Sequence, residues 1–136
     1  MSFRTFLIIK AIVCLCFGVL LLIVPTQLFG LLGGSLADTG RFAAREYGAA
    51  LIGTLLLTWF AKDVKASDAK GAILLDLLVY DAIGVIITLL VVLSGTLNAL
   101  GWGIVFVYLF FAVGSAFLLL KEKPFQQAHS QPNHTP

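Results

Sequence analysis

Four stretches of this chain, over about 5–25, 41–61, 71–94 and 99–120, are each close to the length a helix needs to cross a bilayer, roughly 20 residues, and are dominated by Leu, Ile, Val, Ala, Phe and Gly. No soluble core accounts for them. A chain of 136 residues leaves much of its surface facing solvent, and 60% of these residues are hydrophobic while only 12% are charged. Soluble domains carry about twice that charge. Lipid must therefore be part of the solvent. The expected fold is an all-α integral membrane four-helix bundle, up-down-up-down, over 1–124, with a disordered cytoplasmic tail over 125–136.

Local signals punctuate the helices. Pro25 stops the first, Ser94-Gly95 closes the third, and Lys121-Glu122-Lys123-Pro124 ends the fourth. The connection P-T-Q-L-F-G-L-L-G-G-S-L-A-D-T-G is too apolar for a free loop. Leu28, Phe29, Leu31 and Leu32 are expected in the membrane interface or over the mouth of the bundle. Gly33-Gly34 breaks the segment, and Asp38 or Thr39 is placed to cap the second helix. The N-terminus lacks a small-residue cleavage site and reads as a retained membrane helix. Cys14 and Cys16 lie about 200° apart on a helix, so they share no ligand and read as small apolar fillers. His129 and His134 fall in the polar tail, where no metal role is expected.

An even number of crossings puts both termini on one side. Arg4, Lys10, Lys62, Lys65, Lys70, Lys121 and Lys123 belong to that side, and Arg41 and Arg45 to the other. The positive-inside rule then places both termini and the 62–70 loop in the cytoplasm of a bacterial inner membrane. Trp59 and Trp102 near opposite ends fit interfacial belts. Phe106, Phe110, Phe111 and Phe117 read as packing or lipid contacts.

Residues four apart share a helix face. The first helix gives Lys10, Cys14 and Gly18. The second gives Glu46, Ala50, Thr54 and Thr58, flanked by Arg45, Ala49 and Gly53. The third gives Asp76, Tyr80, Gly84 and Thr88 beside Asp81, and the fourth Tyr108, Ala112 and Ala116 beside Ser115. Small and polar faces of this kind pack inward in lipid. The expected intramembrane cluster is therefore Lys10, Asp76, Tyr80, Asp81, Tyr108, Thr54 and Thr58. Counting 1.5 Å per residue pairs Lys10 with Asp76. It leaves Asp81 near mid-membrane as a neutral hydrogen-bond donor to Tyr108, Thr54 or a carbonyl. Arg41, Arg45 and Glu46 form a second charged group at the outer mouth, as interface anchors or as a site for an anion at a helix N-terminus.

Catalytic signals are missing: no nucleophile–base pair, H-E-x-x-H, phosphate loop or C-x-x-C appears. The net charge of +2, with no basic run interleaved with aromatics, gives no case for nucleic acid. The order apolar helix, Pro25, Gly-containing loop, then Arg45-Glu46-Tyr47-Gly48-Ala49 with Gly53 and Trp59, resembles an uncharacterised family of small four-helix bacterial integral membrane proteins. That resemblance implies a four-helix fold and no activity. Small multidrug transporters fit less well, since their first-helix Glu is replaced by Lys10 as the one charge in that span. Quinone-linked disulfide enzymes need C-x-x-C. Membrane glutathione transferases are echoed by Arg41, Arg45 and Glu46, without their Asn.

The functional expectation is a non-catalytic accessory or scaffolding protein that binds lipid or a small amphiphile, with no cofactor and no metal. Its expected partners are the bilayer, further copies of itself or a larger membrane complex. The alternatives are a small ion- or proton-coupled transporter using Asp81, Asp76 and Glu46, and a glutathione-transferase-like enzyme.

Overall fold

The computed structural model describes residues 1–124. The expected tail over 125–136, with His129 and His134, lies outside them. Among the described residues the chain is all-helical, with no strand: α1 Phe3–Ile23, α2 Pro25–Leu31, α3 Asp38–Ala61, α4 Ser67–Leu93 and α5 Gly101–Glu122. Three of these, α1, α4 and α5, are long and apolar enough to cross a membrane, and this is a membrane-spanning protein. α3 is 24 residues long but carries Asp38, Arg41, Arg45 and Glu46 in its first half.

Helix starts extend beyond the apolar runs. Ser2 caps α1, its hydroxyl accepting from the Thr5 N–H at 3.2 Å. Pro25 occupies the first position of α2, where its missing N–H costs nothing. The apolar connection after α1 is therefore partly a short helix, not an irregular loop. α3 begins at Asp38 and α4 at Ser67, earlier than expected at 41 and 71. Polarity marks where a helix leaves lipid, whereas backbone hydrogen bonding continues to the cap. Asp38 lies in the first turn of α3, not at its cap; there its charge complements the helix dipole and pairs with Arg41.

The long helices pack as two pairs, α1 with α3 and α4 with α5. Within the first pair the backbones nearly touch. A Cβ at Gly48 would lie 3.0 Å from the Gly18 carbonyl oxygen and 3.0 Å from the Leu21 Cβ. Small residues permit such approach, and close packing drives helix association where lipid removes the hydrophobic incentive. The buried face of α3 is accordingly Ala44, Gly48, Leu51 and Thr58. Of the expected stripe, Glu46 and Ala50 are exposed, Thr54 is half-buried and Thr58 is buried. Gly53, its expected flank, faces open space.

The two pairs meet through Phe6 and Leu7 of α1, Leu74 and Leu77 of α4, and Phe111 and Leu118 of α5. Phe6 and Phe111 stack edge-on at 5.6 Å. Phe106, Phe110 and Phe117 turn outward with Ile86, Ile87 and Leu90, an apolar exterior suited to lipid.

Each end of the molecule is tied. At one, Arg4 reaches Asp63 at 3.1 Å, Lys70 reaches Glu122 at 3.6 Å, and the Ser67 hydroxyl donates to the Pro124 carbonyl at 2.7 Å. At the other, the Asn98 N–H donates to the Leu32 carbonyl at 2.7 Å and its side-chain amide to the Leu31 carbonyl at 2.8 Å. Gly33, with φ of 82°, lets the Asn98 side chain approach to within a Cβ contact of 3.2 Å. Leu28 and Phe29 pack inward on the Cys14–Leu21–Leu51 cluster, while Leu31 is exposed.

Substituting Gly48→Ala should force α1 and α3 apart and cost about 1–3 kcal/mol. Gly53→Ala, on the same helix but facing open space, should cost nothing. The unfolding midpoints of both variants in detergent would check this.

Candidate functional site

The site grows from one lysine on α1. Lys10 falls on the same face as Phe3, Phe6, Leu7 and Cys14, all buried, so its ammonium enters the interior with them. It meets Asp81 of α4, Nζ to Oδ1 at 2.5 Å, with the two side chains 4% and 0% exposed. A buried charge is tolerable only when paired. The ammonium also lies 4.3 Å from the Phe111 ring centre and 5.2 Å from that of Tyr80, a favourable place for a desolvated cation.

This corrects the expected pairing of Lys10 with Asp76. Asp76 and Asp81 stand about 140° apart on a helix, so only one can face α1. The face of α4 that packs inward is Gly71, Leu74, Leu77 and Asp81, and Asp76 is exposed. Depth alone chose the wrong carboxylate, because a lysine stem spans several ångströms along the bundle. Asp81 is correspondingly not a donor to Tyr108 or Thr54; it accepts from Lys10.

The chain's three tyrosines converge beside this pair. The Tyr47 hydroxyl of α3 shares hydrogen bonds with the hydroxyls of Tyr80 on α4 and Tyr108 on α5, the latter at 2.5 Å. Tyr108 lies flat on α4 because position 84 is glycine: a Cβ there would stand 2.5 Å from its ring carbons.

Between the helix pairs lies a cavity of about 120 Å³. Val13, Phe17, Leu21, Leu28, Leu51, Ile104 and Val107 give it an apolar body, and Lys10, Asp81, Cys14 and the three tyrosines a polar part. A second cavity, about 280 Å³, is lined by the same tyrosines with Ile83, Gly84, Ile87 and Thr88. The three tyrosines thus line both. Asp81 lines the first cavity, and its Oδ2 is buried with no hydrogen-bond partner among the described residues.

Other expected members lie elsewhere. Thr58 is buried and Thr54 half-buried, but both hydroxyls donate to their own helix, Thr54 to Ala50 O and Thr58 to Thr54 O. Arg41 turns to Asp38, and Arg45 and Glu46 are exposed with no ion pair among the described residues. Tyr47 joins the cluster without having been expected there. Its signal was present: a tyrosine in an apolar helix needs a partner for its hydroxyl, and the chain has two others. The described residues hold no group of His, Cys, Asp and Glu arranged for a metal ion. No family model, curated protein or solved structure matches the chain.

Removing one member of the ion pair strands the other. Asp81→Leu, Asp81→Asn and Lys10→Met should each cost about 3–5 kcal/mol. The double variant Lys10→Met/Asp81→Leu should recover most of that loss. Chemical unfolding in detergent, read as a double-mutant cycle, measures the coupling. Gly84→Ala should displace the Tyr108 ring at a cost of about 1–3 kcal/mol.

Proposed function

We propose that this is a non-catalytic membrane protein that holds a small amphiphile between its two helix pairs. The observation that carries the reading is the first cavity: apolar along its body and ending on a buried, charge-balanced pair with a spare carboxylate oxygen. Binding pockets for small molecules have this composition, apolar walls with few convergent polar groups. In this reading α3 crosses the bilayer together with α1, α4 and α5, as an up-down-up-down bundle. The basic end, with Arg4, Lys62, Lys65, Lys70, Lys121 and Lys123, faces the cytoplasm of a bacterial inner membrane. Lys10 no longer counts toward that asymmetry, because it is neutralised in the interior, and the bias survives without it. Trp59 and Trp102, both partly exposed near opposite ends, suit the two interfaces. The protein serves as an accessory or scaffolding subunit, alone or with further copies.

Mass spectrometry of protein purified in mild detergent should reveal a retained amphiphile, lost in a Leu51→Trp variant that fills the cavity. Retention unchanged by that variant would overturn the reading. For orientation, Ser67→Cys should label from the cytoplasmic side and Gly95→Cys from the opposite side.

A second reading, proton-coupled transport, draws on the hydrogen-bonded tyrosines that line both cavities beside Lys10–Asp81. Proteoliposome flux under a pH gradient that vanishes in Asp81→Asn would favour it. Exposed Arg45 and Glu46 lend the glutathione-transferase-like reading no support.

A further inference from the structure

Resting on the amphiphile-binding reading, we propose that the cavity selects a neutral amphiphile with a hydroxyl head, an alcohol or a phenol, and seats that hydroxyl against Asp81 Oδ2. Three observations converge. First, Lys10 and Asp81 already balance each other, at 2.5 Å and nearly without exposure. A charged head would bring a third charge into the same apolar space with no counter-charge left, and an unpaired buried charge is strongly unfavourable.

Second, Asp81 is one of the residues around the cavity, and its Oδ2 is a fully buried acceptor with no partner among the described residues. A carboxylate oxygen left unsatisfied in the interior calls for a donor, and an ester or ether head has none. Third, Lys10 Nζ presents further N–H groups beyond the one bonded to Oδ1. A hydroxyl donates one hydrogen bond and accepts others, so it can answer both the carboxylate and the ammonium without adding charge. Val13, Phe17, Leu21 and Ile104 then receive the chain or ring that follows.

The test compares four probes with one tail: decanol, decyl methyl ether, decanoate and decylammonium. Each is titrated at neutral pH into the full-length protein in detergent, with the melting temperature as readout. Decanol should stabilise the wild type with an apparent affinity at least about tenfold above the ether, the difference one buried hydrogen bond makes, and above either charged probe. In Lys10→Met/Asp81→Leu, which keeps the core filled with apolar side chains, the preference over the ether should disappear while some binding of the tail remains. Should the ether, decanoate or decylammonium match or exceed decanol in the wild type, the hydroxyl selectivity is wrong although the amphiphile reading stands. A preference for decanol over the ether that persists in the double variant likewise overturns the role of Asp81. If none of the four binds the wild type, the amphiphile reading itself falls, and the selectivity with it.

Discussion

One ion pair in the interior decides how the two halves of this molecule meet. α1 packs on α3 and α4 on α5 through extensive contacts, whereas the pairs touch each other over a smaller area. Lys10 and Asp81 bridge that thinner interface. Van der Waals packing alone lets helices slide by a residue at little cost, but sliding here would leave a charge without its counter-charge in a medium that cannot solvate it. The pair therefore acts as a registration point. Above it in the fold, toward Asn98, the interface opens into the cavities; below it, toward Asp63, Phe6, Leu74 and Phe111 close the core.

The tyrosines complete that division. Tyr47 comes from one helix pair, and Tyr80 and Tyr108 from the other, so their shared hydrogen bonds form a second bridge. Each hydroxyl has one proton to give, and Tyr47 has two neighbours. Membrane interiors reward such mutual satisfaction, because no bulk water replaces a lost partner. Gly84 is the backbone condition for the arrangement. Residues from three helices depend on the absence of one side chain.

Much of this was legible in the residues, and what was not has identifiable causes. Segment length and composition reveal the long helices, because hydrocarbon thickness fixes both. The inward stripe of α1 through Lys10, Cys14 and Gly18 is where the structure buries all three. For α3 the same four-residue rule selected Glu46 and Ala50, which are exposed, because two stripes of small residues run along that helix and spacing cannot choose between them. Gly48, not Gly53, turned out to make the close approach. Rise per residue alone favours Asp76 over Asp81; it is the rotation of α4 that turns Asp81 inward. Tyr47 sits among charges that make its turn look like a boundary. α2 was hidden by its shortness, seven residues beginning with proline.

The separation of Lys10 from Asp81 along the chain, 71 residues, bears on how the protein enters its membrane. Synthesis delivers α1 to the bilayer well before α4 exists. During that interval the Lys10 ammonium has no carboxylate to meet, and it stands about 10 Å from the start of its helix at 1.5 Å per residue. From that depth the long stem can still reach the headgroup layer. Until Asp81 arrives, that stem has reason to turn toward the headgroups; once α4 is in place, it has reason to turn inward. The last turn of a side chain in α1 thus waits on a helix made long after it.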